Sequence, residues 1–144
     1  KKIGILSDTH GYWDEKYLYY FEPCDEIWHA GDIGTMELAE RLAAFRPDDA
    51  IGGYPGNYDP RIRGQIYASP PQLFIAGHSH ILKVKYDKTL NLLHLNPGAA
   101  GMSGWHKERT LIRLTIEGNK FTDCDVITLG RTMMRVESEN SQDE

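Results

Sequence analysis

The first part of the chain alternates between apolar runs and segments with helical spacing. Residues 2–7 form a nearly continuous apolar run, which is typical of a strand that is covered on both faces. Residues 12–21 show the spacing of an amphipathic helix, which Pro23 ends. Residues 25–29 predict a second strand, so the chain opens with the order strand, helix, strand.

A second helix is predicted after this strand. Thr35 is suited to cap its first turn, and Leu38, Leu42 and Phe45 recur on one helix face before Pro47. This βαβα beginning predicts helices packed on a sheet whose first strands are parallel.

The rest of the chain changes character twice. Residues 48–71 are rich in glycine and proline and lack apolar periodicity, which predicts a loop of unusual length. Residues 73–76 predict another apolar strand, and the later apolar segments separated by turns, at residues 81–86, 90–95, 110–116 and 121–129, predict antiparallel strands. Beyond Gly130 the residues are polar and acidic. We therefore predict one domain over residues 1–130 and a polar tail over residues 131–144.

Composition narrows the classes of function. The 144 residues carry 16 basic and 21 acidic side chains, a formal charge of -5, and the basic residues are scattered. This pattern argues against specific nucleic-acid binding and leaves a small phosphorylated substrate open, because a bound cation reverses the local sign of charge. Only Cys24 and Cys124 are present, and no segment resembles a signal or membrane helix, so we expect a cytoplasmic protein without membrane contact.

Three of the predicted strands end in groups that can bind a metal ion. These groups are Asp8 with His10, then Asp32, then His78 with His80. Because open sheets built from βα units gather their binding groups at the carboxyl ends of the strands, the three endings are expected to converge. Mixed carboxylate and imidazole ligands suit manganese, zinc, iron or nickel better than calcium or magnesium.

Such a cluster predicts a dinuclear site with Asp32 as the bridging ligand. Two ions about 3.5–4 Å apart would activate a bridging hydroxide and clamp an in-line displacement at phosphorus. The predicted reaction is hydrolysis of a phosphate ester.

The ordered motifs identify a family. The chain resembles the calcineurin-like metallophosphoesterases, and in particular their small bacterial and archaeal phosphodiesterases, through Asp8-x-His10, Gly31-Asp32, Gly77-His78-Ser79-His80 and Asn96-Pro97-Gly98. The resemblance implies an α/β fold, a four-layer α-β-β-α sandwich with two mixed β-sheets packed face to face and helices outside. It also implies that one ion, with manganese as the first candidate, is held by Asp8, His10, Asp32 and His80. The second ion would be held by Asp32 and His78.

One family element departs from its expected context. Gly56-Asn57-Tyr58-Asp59 spells a motif that should follow an apolar strand, but no such strand precedes it, so Asn57 is not assigned as a ligand. A stretch carrying an asparagine and a histidine ligand is expected to be absent between Pro47 and Ile51. Either the printed sequence omits it or the protein lacks it. The first explanation is favoured because loss of core strands would expose sheet edges.

The other histidines receive structural interpretations. His29 is predicted to pack behind the site, His94 to face out of a strand, and His106 to be a solvated loop residue with a substrate pocket as the alternative. Tyr12 and Trp13 are interpreted as core residues, with stacking on a substrate ring as the alternative.

The leading hypothesis is a dinuclear phosphodiesterase acting on a small phosphorylated substrate, and a homo-oligomer is left open. Its rivals are a catalytically weak scaffold that binds proteins and a mononuclear hydrolase of another ester.

Overall fold

The computed structural model describes residues 1–46, 48–50, 67–69, 71–104 and 106–131, with backbone only for 48–50 and 131. These residues form two helices and eight strands. In chain order the elements are β1 (Lys2–Leu6), α1 (Lys16–Phe21), β2 (Glu26–His29), α2 (Met36–Phe45), β3 (Asp48–Ala50), β4 (Leu73–Ile75), β5 (Lys83–Asp87), β6 (Leu92–Asn96), β7 (Glu108–Glu117) and β8 (Lys120–Arg131).

The strands form two sheets, and both are mixed. The first sheet has the order β3-β2-β1-β7-β8. Its β1, β2 and β3 are parallel, whereas β7 is antiparallel to both β1 and β8. The second sheet has the order β4-β6-β5, with β4 parallel and β5 antiparallel to β6. The predicted pair of mixed sheets is confirmed.

Side-chain alternation along β1 explains how the layers pack. Ile3 and Ile5 join a cluster between the sheets that also contains Leu95 of the second sheet. Leu6 points to the other face, into a cluster that includes Phe21 of α1 and residues of α2. Successive strand residues face opposite ways, so one strand contributes to both layers.

A third cluster lies on the second sheet and contains Phe74, Ala76 and Leu92. Three of the four predicted layers are thus seen among the described residues: the α1 and α2 layer and the two sheets. The helical layer predicted outside the second sheet is not among these residues.

Helix α2 begins as predicted. The Thr35 hydroxyl accepts a hydrogen bond from Leu38 N at 3.3 Å, which satisfies one free donor of the first turn. Helix α1 is shorter than predicted and begins at Lys16. The residues before it form turns instead, with Tyr12 N donating to Thr9 O and Lys16 N donating to the Asp14 carboxylate.

The segment after α2 corrects one prediction. It starts with β3, not with a loop, and Asp48 and Ala50 pair with Ile27 and His29 of β2. Its Asp-Asp-Ala sequence has little strand propensity, so pairing with a formed edge outweighs local preference.

The expected absence of a stretch between Pro47 and Ile51 stays a prediction, and the Asn57 motif lies outside the described residues. Residues 132–144 also lie outside them, so the division into domain and tail stays a prediction. Within the described part of the chain, no helix is long and apolar enough to cross a membrane.

Candidate metal centre

The ends of β1, β2 and β4 meet at one edge of the sandwich. Asp8 N donates to Gly31 O at 3.0 Å, and His10 N donates to Asp32 O at 2.9 Å, so the loops after β1 and β2 run side by side. The segment after β4 comes equally close. A Cβ on Gly77 would lie only 2.3 Å from Ser7 Oγ, so any residue other than glycine would clash there. The predicted convergence of strand ends is therefore present.

The five predicted site residues form two groups of three. Asp8, His10 and His80 bring one donor atom each within 4.8 Å of one another, and so do Asp8, Asp32 and His78. Asp8 is common to both groups. The bridging role assigned to Asp32 from the sequence stays a prediction.

These five residues also share an unusual backbone conformation. All have a positive φ, between 46° and 70°, and Asn91 is the sole other non-glycine residue with this property in the described part of the chain. The left-handed region costs an L-residue about 1–2 kcal/mol, so it persists only where surrounding structure imposes it. Strain of this kind is a hallmark of functional sites.

Asp8 is a fully buried carboxylate with one unused oxygen. Its Oδ2 accepts hydrogen bonds from Ser7 Oγ at 2.9 Å and from His78 N at 3.0 Å. Among the described residues, its Oδ1 has no hydrogen-bond partner, and it lies 3.5 Å from His80 Nε2. Burial raises the pKa of Asp8 to about 7, and the neighbouring Asp32 carboxylate adds to this effect. A cation would supply the partner that Oδ1 lacks, so the residues fit a metal ion.

Asp32 and His78 form the outer part of the centre. His78 Nδ1 lies 3.0 Å from Asp32 Oδ2, and the His78 side chain is 66% exposed. The neighbouring Asp8 and His78 side chains lower the pKa of Asp32, and the Asp32 carboxylate in turn raises the pKa of His78. Both side chains are accessible to solvent, so each can give up its contact with the other and bind an incoming ion or substrate.

His80 lies between two other imidazoles. Its ring centroid is 5.5 Å from that of His10 and 5.0 Å from that of His106. Burial lowers the pKa of His80, with nearby His106 and His10 adding to this effect. A neutral imidazole offers a lone pair, which is the form that binds a metal ion.

His106 corrects a second prediction, because it is a member of the site and not a solvated loop residue. It lines a cleft of about 400 Å³ together with His78, Ser79, His80, Ile81 and Gly104. The only sequence signal for this position is the run Gly98-Ala99-Ala100-Gly101 before it. Small residues there let the loop approach β1 so closely that a Cβ on Gly101 would lie 2.3 Å from Thr9 O.

The Asn96-Pro97-Gly98 motif braces the histidine loop from behind. Buried Asn96 donates from Nδ2 to Ser79 Oγ at 3.0 Å, between the two ligand histidines. Its Oδ1 accepts from Gly98 N at 2.9 Å. Because both ends of the amide are used, the loop that carries His78 and His80 is fixed to β6.

His29 packs behind the site, as predicted. Thr9 Oγ1 donates to Ile33 O at 2.8 Å, so it accepts from His29 Nε2 at 3.0 Å. His29 Nδ1 accepts from Gly31 N at 3.1 Å. Burial lowers the pKa of His29 to about 4, which keeps the ring neutral as this relay requires.

His94 differs from its prediction. It is only 3% exposed and packs edge to face on Phe74, so it belongs to the interior and does not face outward. Trp13 packs against the cluster around Leu6, as a core residue should, and the Arg41 guanidinium lies 4.0 Å from its ring centroid.

The amino-acid sequence also matches a known protein family. The sequence model described as the calcineurin-like phosphoesterase superfamily domain matches residues 2–67 and 53–119. No match was found among the curated proteins.

Solved structures share the fold at low sequence identity. Vps29 from Entamoeba histolytica, crystallised with Zn²⁺, is 13% identical with a TM-score of 0.67, covering 89% of this chain and 99% of that one. An archaeal phosphodiesterase is 17% identical with a TM-score of 0.65, covering 90% of this chain and 100% of that one. A conserved Streptococcus pneumoniae protein, described as a predicted phosphoesterase, is 21% identical with a TM-score of 0.60, covering 92% of this chain and 91% of that one.

The two mixed sheets place the chain in the class of α/β phosphoesterase sandwiches, and carboxylates and imidazoles that could hold a metal ion gather at the strand ends. Within that class, the chain belongs to the calcineurin-like phosphoesterase superfamily.

Proposed function

We propose that the protein is a metal-dependent phosphodiesterase with two adjacent ion subsites, manganese being the first metal to test. The observation that carries the proposal is the pair of three-donor groups joined at Asp8, whose buried Oδ1 has no hydrogen-bond partner in the part of the chain that the structure describes. Zinc, iron and nickel suit the same mixture of oxygen and nitrogen donors.

Each side chain has a definite part in this proposal. Asp8, His10 and His80 would hold one ion, and Asp32 and His78, with Asp8 shared, would hold the other. Bound ions of this kind act as Lewis acids and lower the pKa of a water molecule. The left-handed backbone at these residues holds the donors in place before an ion arrives, which reduces the entropy lost on binding.

The lining of the cleft favours a diester over a monoester. None of the described residues that line it is a lysine or arginine. A diester carries one negative charge, whereas a monoester carries close to two and gains more from an additional cation. The histidine that follows Gly-Asn in many members of the family is not visible in this sequence, so water or the bound ions would assist the leaving oxygen.

The rival hypothesis of a protein-binding scaffold remains distinct and testable. Likeness to Vps29 concerns the fold, and all five donor residues are present here. A cytoplasmic location, the substrate's identity and any homo-oligomer stay predictions.

Hydrolysis of bis-p-nitrophenyl phosphate tests the proposal, with p-nitrophenyl phosphate as the monoester comparison. We expect turnover with Mn²⁺ that is lost on chelation, restored by added metal, and abolished in Asp8→Asn. Lys88→Ala, in the exposed turn after β5, is the matched control and should retain full activity. Activity that ignores the chelator or survives Asp8→Asn would refute the proposed function. Native mass spectrometry of the loaded protein counts the ions and separates a dinuclear from a mononuclear enzyme.

A further inference from the structure

His106 and His80 meet through the same kind of ring atom. Their Nδ1 atoms are 3.2 Å apart, which requires one to donate a proton and the other to accept it. His106 Nε2 lies 2.9 Å from Gly101 O. A carbonyl oxygen only accepts, so His106 Nε2 must carry a hydrogen.

This contact determines both tautomers when the rings are neutral. With its hydrogen on Nε2, His106 presents a lone pair at Nδ1. His80 must then donate from Nδ1, which leaves the lone pair of His80 on Nε2. That is the atom that lies 3.5 Å from Asp8 Oδ1, in the first of the two donor groups.

We propose that His106 is a positioning residue that holds His80 in the tautomer whose Nε2 lone pair faces the metal subsite beside Asp8. The proposal rests on the proposed function insofar as His80 is a metal ligand. Hydrogen bonding to the far ring nitrogen is a general way in which proteins orient histidine ligands.

The loop that carries His106 is built to hold this contact. Gly101, which anchors His106, is itself tied to β1, because Ala100 N donates to Ser7 O at 2.9 Å and Gly101 N to Asp8 O at 3.3 Å. Gly104 has a φ of 123°, and a Cβ at this position would lie 2.3 Å from His80 Nδ1. A circuit of contacts therefore runs from Asp8 through Gly101 and His106 to His80 and back to Asp8.

Two substitutions separate the acceptor from mere packing. In His106→Asn, the amide oxygen replaces Nδ1 as an acceptor, whereas His106→Leu offers no acceptor. Both variants lose the bond to Gly101 O, so a general effect on folding would affect both alike. Thermal unfolding of each variant, followed by circular dichroism, checks this.

The primary measurement is the tautomer of His80 in the metal-free, ¹⁵N-histidine-labelled full chain at pH 8.5, read from long-range proton–nitrogen NMR correlations. A His80→Gln spectrum assigns the signals. We expect the Nδ1–H form in the wild type and in His106→Asn, and a shift toward the Nε2–H form in His106→Leu. An unchanged His80 tautomer in His106→Leu would overturn the proposal.

Calorimetric titration with Mn²⁺ is the second measurement. The affinity of His106→Leu should fall about tenfold or more, while that of His106→Asn should stay near the wild type. Equal affinities for Leu, Asn and wild type would also overturn the proposal. A wild type that binds no metal would refute the proposed function instead, and the NMR tautomer would then decide the positioning role alone.

Discussion

Because the backbone at the ligand residues is left-handed, we expect glycine to stabilise the protein more than alanine at these positions, the reverse of the usual order. His78 is the best position for the test, because its φ is 70° and its side chain is 66% exposed. The variants His78→Ala and His78→Gly both lose the contact of the imidazole with Asp32. They differ only in what the backbone conformation costs them.

The magnitude follows from two opposing effects. Holding an L-residue in the left-handed region costs about 1–2 kcal/mol, which glycine avoids. Glycine loses more conformational freedom on folding, which costs it about 0.5–1 kcal/mol relative to alanine. We therefore expect the free energy of unfolding of His78→Gly to exceed that of His78→Ala by about 0.5–1 kcal/mol.

Two further positions serve as controls. Asn91, with a φ of 54° in an exposed turn outside the site, should show the same preference for glycine. Glu40, exposed in the middle of α2, should show the opposite, with glycine about 1 kcal/mol less stable than alanine.

The assay is equilibrium unfolding in urea with a chelator present, so that differences in metal binding do not enter the free energies. If His78→Ala proves more stable than His78→Gly while Asn91 behaves as expected, the inference of strain at the ligand residues is wrong. Both His78 variants should lose diesterase activity to the same extent.

Three further predictions concern the surroundings of the site. Buried Arg109 donates to Asp14 Oδ2 at 2.6 Å. Arg109→Met should therefore lower the free energy of unfolding, measured by urea titration, by about 3–5 kcal/mol. A loss under about 1 kcal/mol would contradict this expectation. Burial alone would raise the pKa of Asp14, but Arg109 holds it below 3.8. The pair's stabilisation should therefore be complete above this value and be lost as the pH falls through the lower folded pKa. Unfolding curves of wild type and Arg109→Met should then converge in acid. Burial raises the pKa of Asp8 to about 7, so below this pH a cation must displace the proton of Asp8. The Mn²⁺ affinity measured by calorimetry should therefore fall about tenfold per pH unit below 7. An affinity that does not change with pH would exclude this competition. Gly77→Ala would place a Cβ 2.3 Å from Ser7 Oγ, force the strand ends apart and abolish Mn²⁺ binding, and an unchanged affinity would show that the strand ends yield freely.

Much of the fold could be read from the sequence because its early elements agree with their local signals. The apolar run of β1 and the capped helix α2 are strong patterns whose tertiary partners reinforce them. The order of the chemical groups at three strand ends was enough to predict that they converge, since parallel strands place their carboxyl ends at one edge.

The features that the sequence did not predict depend on contacts between distant segments. β3 has a weak strand sequence and exists through pairing with β2. His106 enters the site because a loop of small residues packs on β1, and nothing in the neighbouring sequence specifies its distance from His80. The two donor groups share Asp8, which follows the central strand β1, and only the assembled sheet brings both groups to this residue.

The central place of β1 also governs when the metal centre can form during synthesis of the protein. Ile5 pairs with Ile112 of β7, so β1 waits for a partner more than a hundred positions later to leave the ribosome. Pairing over such a separation is slow, because a long loop must close before any contact stabilises it. Until then β1 lacks its β7 partner, and we expect cations to be captured only after most of the domain has been translated.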